Sequence, residues 1–148
     1  MAENDAERLF RKGLDALAEG STLAALAAFE KAVQLEDNPL YSTYFAFCVA
    51  KERGQFQLAE TLCEKAIARE PKNSVHYFNL GKIYLLARKK GDAIRIFRDG
   101  LRCEENKEIS EELNKLGTRK TPIIPFLKRN NPVNKYLGII LGRMGLRL

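Results

Sequence analysis

Residues 25–32 read ALAAFEKA, residues 59–66 read AETLCEKA and residues 93–100 read AIRIFRDG. Each octet begins 34 residues after the one before it. Ala25, Ala59 and Ala93 open them, Ala32, Ala66 and Gly100 close them, and Phe29, Cys63 and Phe97 lie inside. A fixed period of roughly 20–50 residues marks one supersecondary unit repeated and stacked, because each unit alone cannot bury its apolar face. Working outward, Gly20 and Gly54 hold the same place ahead of the first two octets, and Gly13, Phe47 and Gly81 share another. Ala24, Ala25, Ala28, Phe29, Ala32, Val33 and Leu35 recur with the helical period of about 3.6 residues, as do Ile94, Phe97 and Leu101. No useful length alternates apolar and polar residues, so helices are expected throughout and no sheet.

The bulk properties agree. The chain has 148 residues, 45% hydrophobic and 30% charged, which suits one globular domain and excludes a disordered chain. No apolar run nears the roughly 20 residues needed to span a bilayer. The polar, acidic start Met1–Asp5 lacks the basic beginning and apolar core of a secretory signal, so a cytoplasmic location is expected. Cys48, Cys63 and Cys103 form no C-x-x-C and are odd in number, and His76 is the only histidine. That set suits a reducing compartment and offers no zinc site. No P-loop, dinucleotide fingerprint or EF-hand is present, so no cofactor and no small-molecule substrate are expected. Residues 1–116 hold 18 Lys/Arg and all 19 Asp/Glu, whereas residues 117–148 hold seven Lys/Arg and no acid. The net charge of +6 therefore belongs to the C-terminal tail.

The repeating positions resemble the tetratricopeptide-repeat (TPR) family, in which each repeat is a pair of antiparallel helices. Small residues stand where the helices cross, and here Gly13, Ala25 and Ala32 match them in one repeat and Gly81, Ala93 and Gly100 in another. Leu80, Tyr77 and Tyr84 match large positions of the first helix, and Pro71 matches the proline that closes a repeat. The resemblance implies an all-α superhelix with repeats at 6–39, 40–73 and 74–107, a capping helix at 108–116 and a tail at 118–148. Asn73 and Ser74 are expected to cap a helix, and Gly117 to stop the last one in a left-handed conformation. The chain departs from the pattern at Phe47, where a small residue is usual, at Cys63, which replaces an aromatic, and at Glu105, which replaces the closing proline.

The resemblance also implies where a ligand would sit. The inner surface comes mainly from the first helix of each pair, giving Phe10, Leu14, Leu17, Tyr41, Tyr44, Cys48, Lys51, Phe78, Lys82 and Leu85 as groove residues. An open apolar concavity calls for an occupant. Some family members grip the C-terminal carboxylate of chaperone peptides; the matching positions here are Phe10, Leu14, Phe45, Val75 and Asn79, so that clamp is not expected. Cys48 and His76 are the one pair that suggests nucleophilic chemistry, but no orienting acid or oxyanion loop accompanies them.

The tail is different. Pro122 and Pro125 impose extended backbone on a segment bearing Ile123, Ile124, Phe126 and Leu127, and Asn131-Pro132 can start a helix over 133–144. The four apolar side chains are expected to dock, on the chain's own repeats, on a sister subunit or on a partner. The expected function is a non-catalytic scaffold that binds an apolar peptide of another protein. The alternatives are a secretion-type chaperone of the kind that three-repeat proteins provide in bacteria, or a peripheral membrane or nucleic-acid binder acting through the tail.

Overall fold

Seven helices, and no strand, make up residues 3–117, which are the residues described by the computed structural model. They are α1 (Asp5–Ala18), α2 (Thr22–Leu35), α3 (Pro39–Arg53), α4 (Phe56–Arg69), α5 (Ser74–Leu86), α6 (Lys90–Cys103) and α7 (Lys107–Gly117). The expected all-α repeat array is therefore present. The tail with Ile123, Ile124, Phe126 and Leu127, and the helix expected over 133–144, lie outside the described residues. Among the described residues no helix is long and apolar enough to cross a membrane.

Each odd-numbered helix of the three pairs starts at an asparagine. The Oδ1 atoms of Asn4, Asn38 and Asn73 accept hydrogen bonds from the backbone N–H of Glu7 (2.7 Å), Leu40 (2.9 Å) and Val75 (3.1 Å). These bonds satisfy donors that the first helical turn cannot pair internally. The turn inside each pair needs a left-handed residue. Gly20 and Gly54 supply it with φ of +81° and +65°, and the third turn uses Arg88 at φ +62°. A side chain there costs on the order of 1–2 kcal/mol, so the third turn is held by its surroundings, not by local preference. Gly117 is the last residue of α7 and not the left-handed stop expected of it.

The pairs α1/α2, α3/α4 and α5/α6 each pack internally, and α3 also meets α2 and α5. What sets the spacing inside a pair is one aromatic ring. A Cβ added to Gly13 would lie 2.3 Å from Phe29 Cε1, and one added to Gly81 would lie 2.1 Å from Phe97 Cε1. Both rings are fully buried. Any side chain on the glycine would need the ring's own volume, and close-packed interiors have none to spare. The middle pair is reversed. In the 34-residue register Phe47 takes the glycine's place and Cys63 the ring's place. Phe47 packs against the buried cluster Ala46, Ala50, Ala59, Cys63, Leu80 and Ile83. The two departures from the family pattern are thus one exchange: the large group moves from the second helix to the first.

Residues up to Ser110 form one compact unit, and Glu111 onward belongs to a second. Within the first unit, Ile109 of α7 is fully buried, with its Cδ1 beside Gly100. Asn106 accepts from the Ile109 backbone N–H at 3.1 Å and donates to Ser74 Oγ at 2.9 Å. Of the second unit, residues 111–117 continue α7, with Lys115 and Glu112 paired at 3.7 Å.

The exchange can be tested by reversing it. Cys63→Phe alone should destabilise the protein by roughly 1–3 kcal/mol through overpacking. Phe47→Gly alone should destabilise it through lost burial and a helix glycine. The double variant, which restores the Gly/Phe arrangement, should cost at least about 1 kcal/mol less than the sum of the two. Denaturant unfolding of the four proteins gives the coupling, and simple additivity would contradict the exchange.

Candidate functional site

The first helices of the three pairs carry most of the chain's aromatic residues, and the structure assembles them in two groups. Phe10 on α1 stacks on Tyr41 of α3 with centroids 4.5 Å apart, and meets Tyr44 edge-on at 5.4 Å. Phe29 of α2 lies beneath, 5.5 Å from Phe10 and 5.6 Å from Tyr44. Offset and edge contacts of this kind suit the ring quadrupole. Leu14 and Leu17 are half-buried against the same cluster. The second group lies on α3 and α5. The ammonium of Lys82 sits 4.0 Å from the Phe47 ring centroid and 4.3 Å from that of Phe78. Phe78 in turn rests 6.5 Å from Phe97.

Of the ten residues expected to line the groove, two do not. Tyr41 is 4% exposed and packs with Ala6 and Ala32, and Cys48 is 0% exposed and packs with Phe29 and Val49. Both belong to the core, because α3 is the middle helix and is covered by α2 as well as by α5. Phe10, Leu14, Leu17, Tyr44, Phe78, Lys82 and Leu85 are half-buried, and Lys51 is exposed. Phe47 was missing from the expected list. The signal for it was available, since a large residue at a small-residue position has to project somewhere.

The pair Cys48 and His76 is not brought together as a nucleophile and base. Burial pushes the Cys48 thiol up to about 12, against the pull of Lys82. A protonated thiol in the core is not a nucleophile. His76, fully buried, has other partners. Its Nε2 lies 2.7 Å from Glu70 Oε1 and its Nδ1 lies 3.3 Å from Thr43 Oγ1. An acid does meet this histidine, contrary to expectation, and hydrogen bonding from His76 holds the Glu70 carboxyl below its usual value. The Thr43 hydroxyl itself donates to the Leu40 carbonyl oxygen at 3.2 Å. Asn79 Nδ2 donates to the same Oγ1 at 3.2 Å, while Asn79 Oδ1 is buried without a partner. Thr43, His76 and Asn79 are 0% exposed, so the network ties α3 to α5 inside the protein and reaches solvent at Glu70, whose side chain is 44% exposed.

The open cleft of about 550 Å³ lined by Glu70, Pro71, Lys72, Asn73 and Glu104 offers no better chemistry. Its two carboxylates are already engaged, Glu70 by His76 and Glu104 by the Ser74 hydroxyl (2.6 Å) and backbone N–H (2.9 Å). Among the described residues no group of three or more His, Cys, Asp or Glu could hold a metal ion. The positions of a terminal-carboxylate clamp carry no cation: Phe10, Leu14, Phe45 and Val75 are half-buried and apolar, and Asn79 is spent on Thr43.

Comparison with known proteins agrees with this architecture. Residues 62–95 match the tetratricopeptide repeat, a stretch that runs from α4 through α5 into α6. Among curated proteins no relative is detected. Among solved structures, the first TPR of Spaghetti (RPAP3) bound to the HSP90 peptide SRMEEVD aligns at 24% identity and TM-score 0.61, covering 78% of this chain and 94% of that one. The Arabidopsis OM64 TPR domain aligns at 26% identity and TM-score 0.61, covering 78% and 96%. The Sgt2 TPR domain from Aspergillus fumigatus aligns at 19% identity and TM-score 0.63, covering 90% and 95%. The fold is thus that of a helical-repeat module for protein interaction, a class that is generally non-catalytic. Residues 62–95 thus carry a tetratricopeptide repeat, set in a helical array whose fold is like that of these TPR domains.

Thiol reactivity checks the placement of the cysteines. In the native protein an aromatic disulfide reagent should label Cys103, which is half-buried, well before the other two. Cys48 and Cys63 should react only as the protein unfolds. Rapid native labelling mapped to Cys48 would contradict its burial.

Proposed function

We propose that this chain is a non-catalytic adaptor that takes an apolar segment of another protein on the face formed by α1, α3 and α5. The observation that carries the reading is the row of half-buried apolar groups along those helices: Leu14 on α1, Tyr44 and Phe47 on α3, and Phe78 and Leu85 on α5. They are too large to be ordinary solvated positions and too accessible to be core. Aromatic groups in that state act as anchors, since they lose little conformational freedom on binding and bury a large area. The structural likeness to a TPR module that holds a peptide supports a peptide-binding role. The ligand would differ, because a clamp for a terminal carboxylate lacks its cations here. The apolar tail segment around Ile123, Ile124, Phe126 and Leu127 is proposed as a second docking element, for a partner or a sister chain.

The test is a selection of random twelve-residue peptides by the full chain, followed by affinity measurements on variants. Peptides rich in Leu, Ile and Phe should be enriched. Phe78→Ala should weaken their binding about ten-fold, a loss typical of an aromatic anchor, while lowering the melting temperature by only a few degrees. Leu80→Ala, at a 2% exposed position, should do the opposite. Binding left intact by Phe78→Ala would place the ligand elsewhere.

A further inference from the structure

Helix α4 packs against the third pair. Leu80 of α5 is buried in one cluster with Ala59 and Cys63 of α4, and Ile96 of α6 packs against the same cluster. Two periods of 34 earlier, the places of Leu80 and Ile96 belong to Lys12 and Ala28. On the first pair these places border an open groove. It encloses about 210 Å³ between α1 and α2 and is lined by Leu9, Lys12, Ala24, Ala27, Ala28 and Lys31. Leu35, one turn beyond Lys31 on the same face of α2, is 60% exposed.

The third pair shows what such a seat takes: a helix that brings small side chains, Ala59 and Cys63, to the crossing. The chemistry of the first pair is different. A lysine stands in the place of Leu80, and the lining holds two cations and no acid. The acids of α1 and α2 are engaged elsewhere or set apart. Asp5 is paired with Arg8, Glu30 with Arg53, Glu7 accepts from Asn4, and Asp15 is outside the lining. Two occupants from this chain are disfavoured by the same charges. A second copy placed groove to groove would set lysine against lysine. The tail, with seven Lys/Arg and no acid in residues 117–148, would bring cations to cations.

We propose that the α1–α2 groove docks an acidic amphipathic helix of another protein. Its small apolar side chains would lie on Leu9, Ala24, Ala27 and Ala28, and its carboxylates would meet Lys12 and Lys31. These residues are not those of the first-helix face inferred above, so the two surfaces can be tested apart.

The probes are stapled helical peptides of 14 residues, the length of α4. All carry the same stripe of alanine and leucine, flanked in three forms by Glu, Gln or Lys. Fluorescence anisotropy on the full chain should show the Glu form binding about ten-fold or more tighter than the Lys form, with the Gln form between and the preference fading as salt rises. Lys12→Glu combined with Lys31→Glu should reverse the order. Ala27→Gln, which fills the groove with a good helix former at an exposed position, should weaken the Glu form by about ten-fold. Phe78→Ala should leave it unchanged. Circular dichroism establishes that each variant is folded. The proposal is overturned if the Glu form does not bind, if the order survives the lysine reversal, or if Phe78→Ala removes binding and so places the peptide on the other face. Sedimentation of the chain alone covers the remaining occupant. A dimer that Ala27→Gln dissociates would make the groove a contact between copies and overturn the proposal as well.

Discussion

One aromatic ring fills the crossing of each outer helix pair, and the rest of the array is arranged around that volume. Phe29 and Phe97 press so closely on Gly13 and Gly81 that a single methyl group would overlap them. The ring holds the two helices at a fixed separation, and the fixed separation lets successive pairs stack with their alanines in register. Solenoids depend on such local terms, because each unit meets only its neighbours. A change at one crossing is then felt by the pair it belongs to and by the helices beside it.

The middle pair shows what this allows. Its volume is conserved by exchange, with the ring on the first helix and a cysteine on the second. The consequence reaches the surface as well as the core. In the outer pairs the ring points into the pair and is lost to any ligand. In the middle pair it lies on the helix that faces the proposed ligand, half-buried, against the ammonium of Lys82. A packing variation has placed an aromatic–ammonium contact at the centre of the proposed binding face. The buried His76–Thr43–Asn79 network, anchored at the surface by Glu70, ties together the two helices that carry this contact. Buried polar groups favour the arrangement that pairs them, and here all but Asn79 Oδ1 are paired.

The architecture was legible because it is written three times. The alanines at 25, 59 and 93 and the period of 34 define the helices, and Asn73 capped as its chemistry required. Less of the site was legible. Face assignment by register treats all first helices alike, but α3 has neighbours on both sides, so Tyr41 and Cys48 went to the core. The exchange was visible only as two separate oddities, Phe47 and Cys63, because nothing in a linear reading says that positions 16 residues apart share one volume. The acid at His76 was missed because Glu70 reaches it across the turn between α4 and α5. The third turn was hidden because Arg88 stands where Gly20 and Gly54 stand in the others, a case of tertiary packing overriding local preference.

The central claim is that ligands engage the first-helix face. Chemical-shift mapping on the isotope-labelled full chain, titrated with a selected peptide, tests it most directly. The account predicts perturbations concentrated at Leu14, Tyr44, Phe47, Phe78, Lys82 and Leu85, on α1, α3 and α5. Perturbations centred instead on Leu23 and Leu58, the leucines of α2 and α4 that are 67% and 47% exposed, would contradict it.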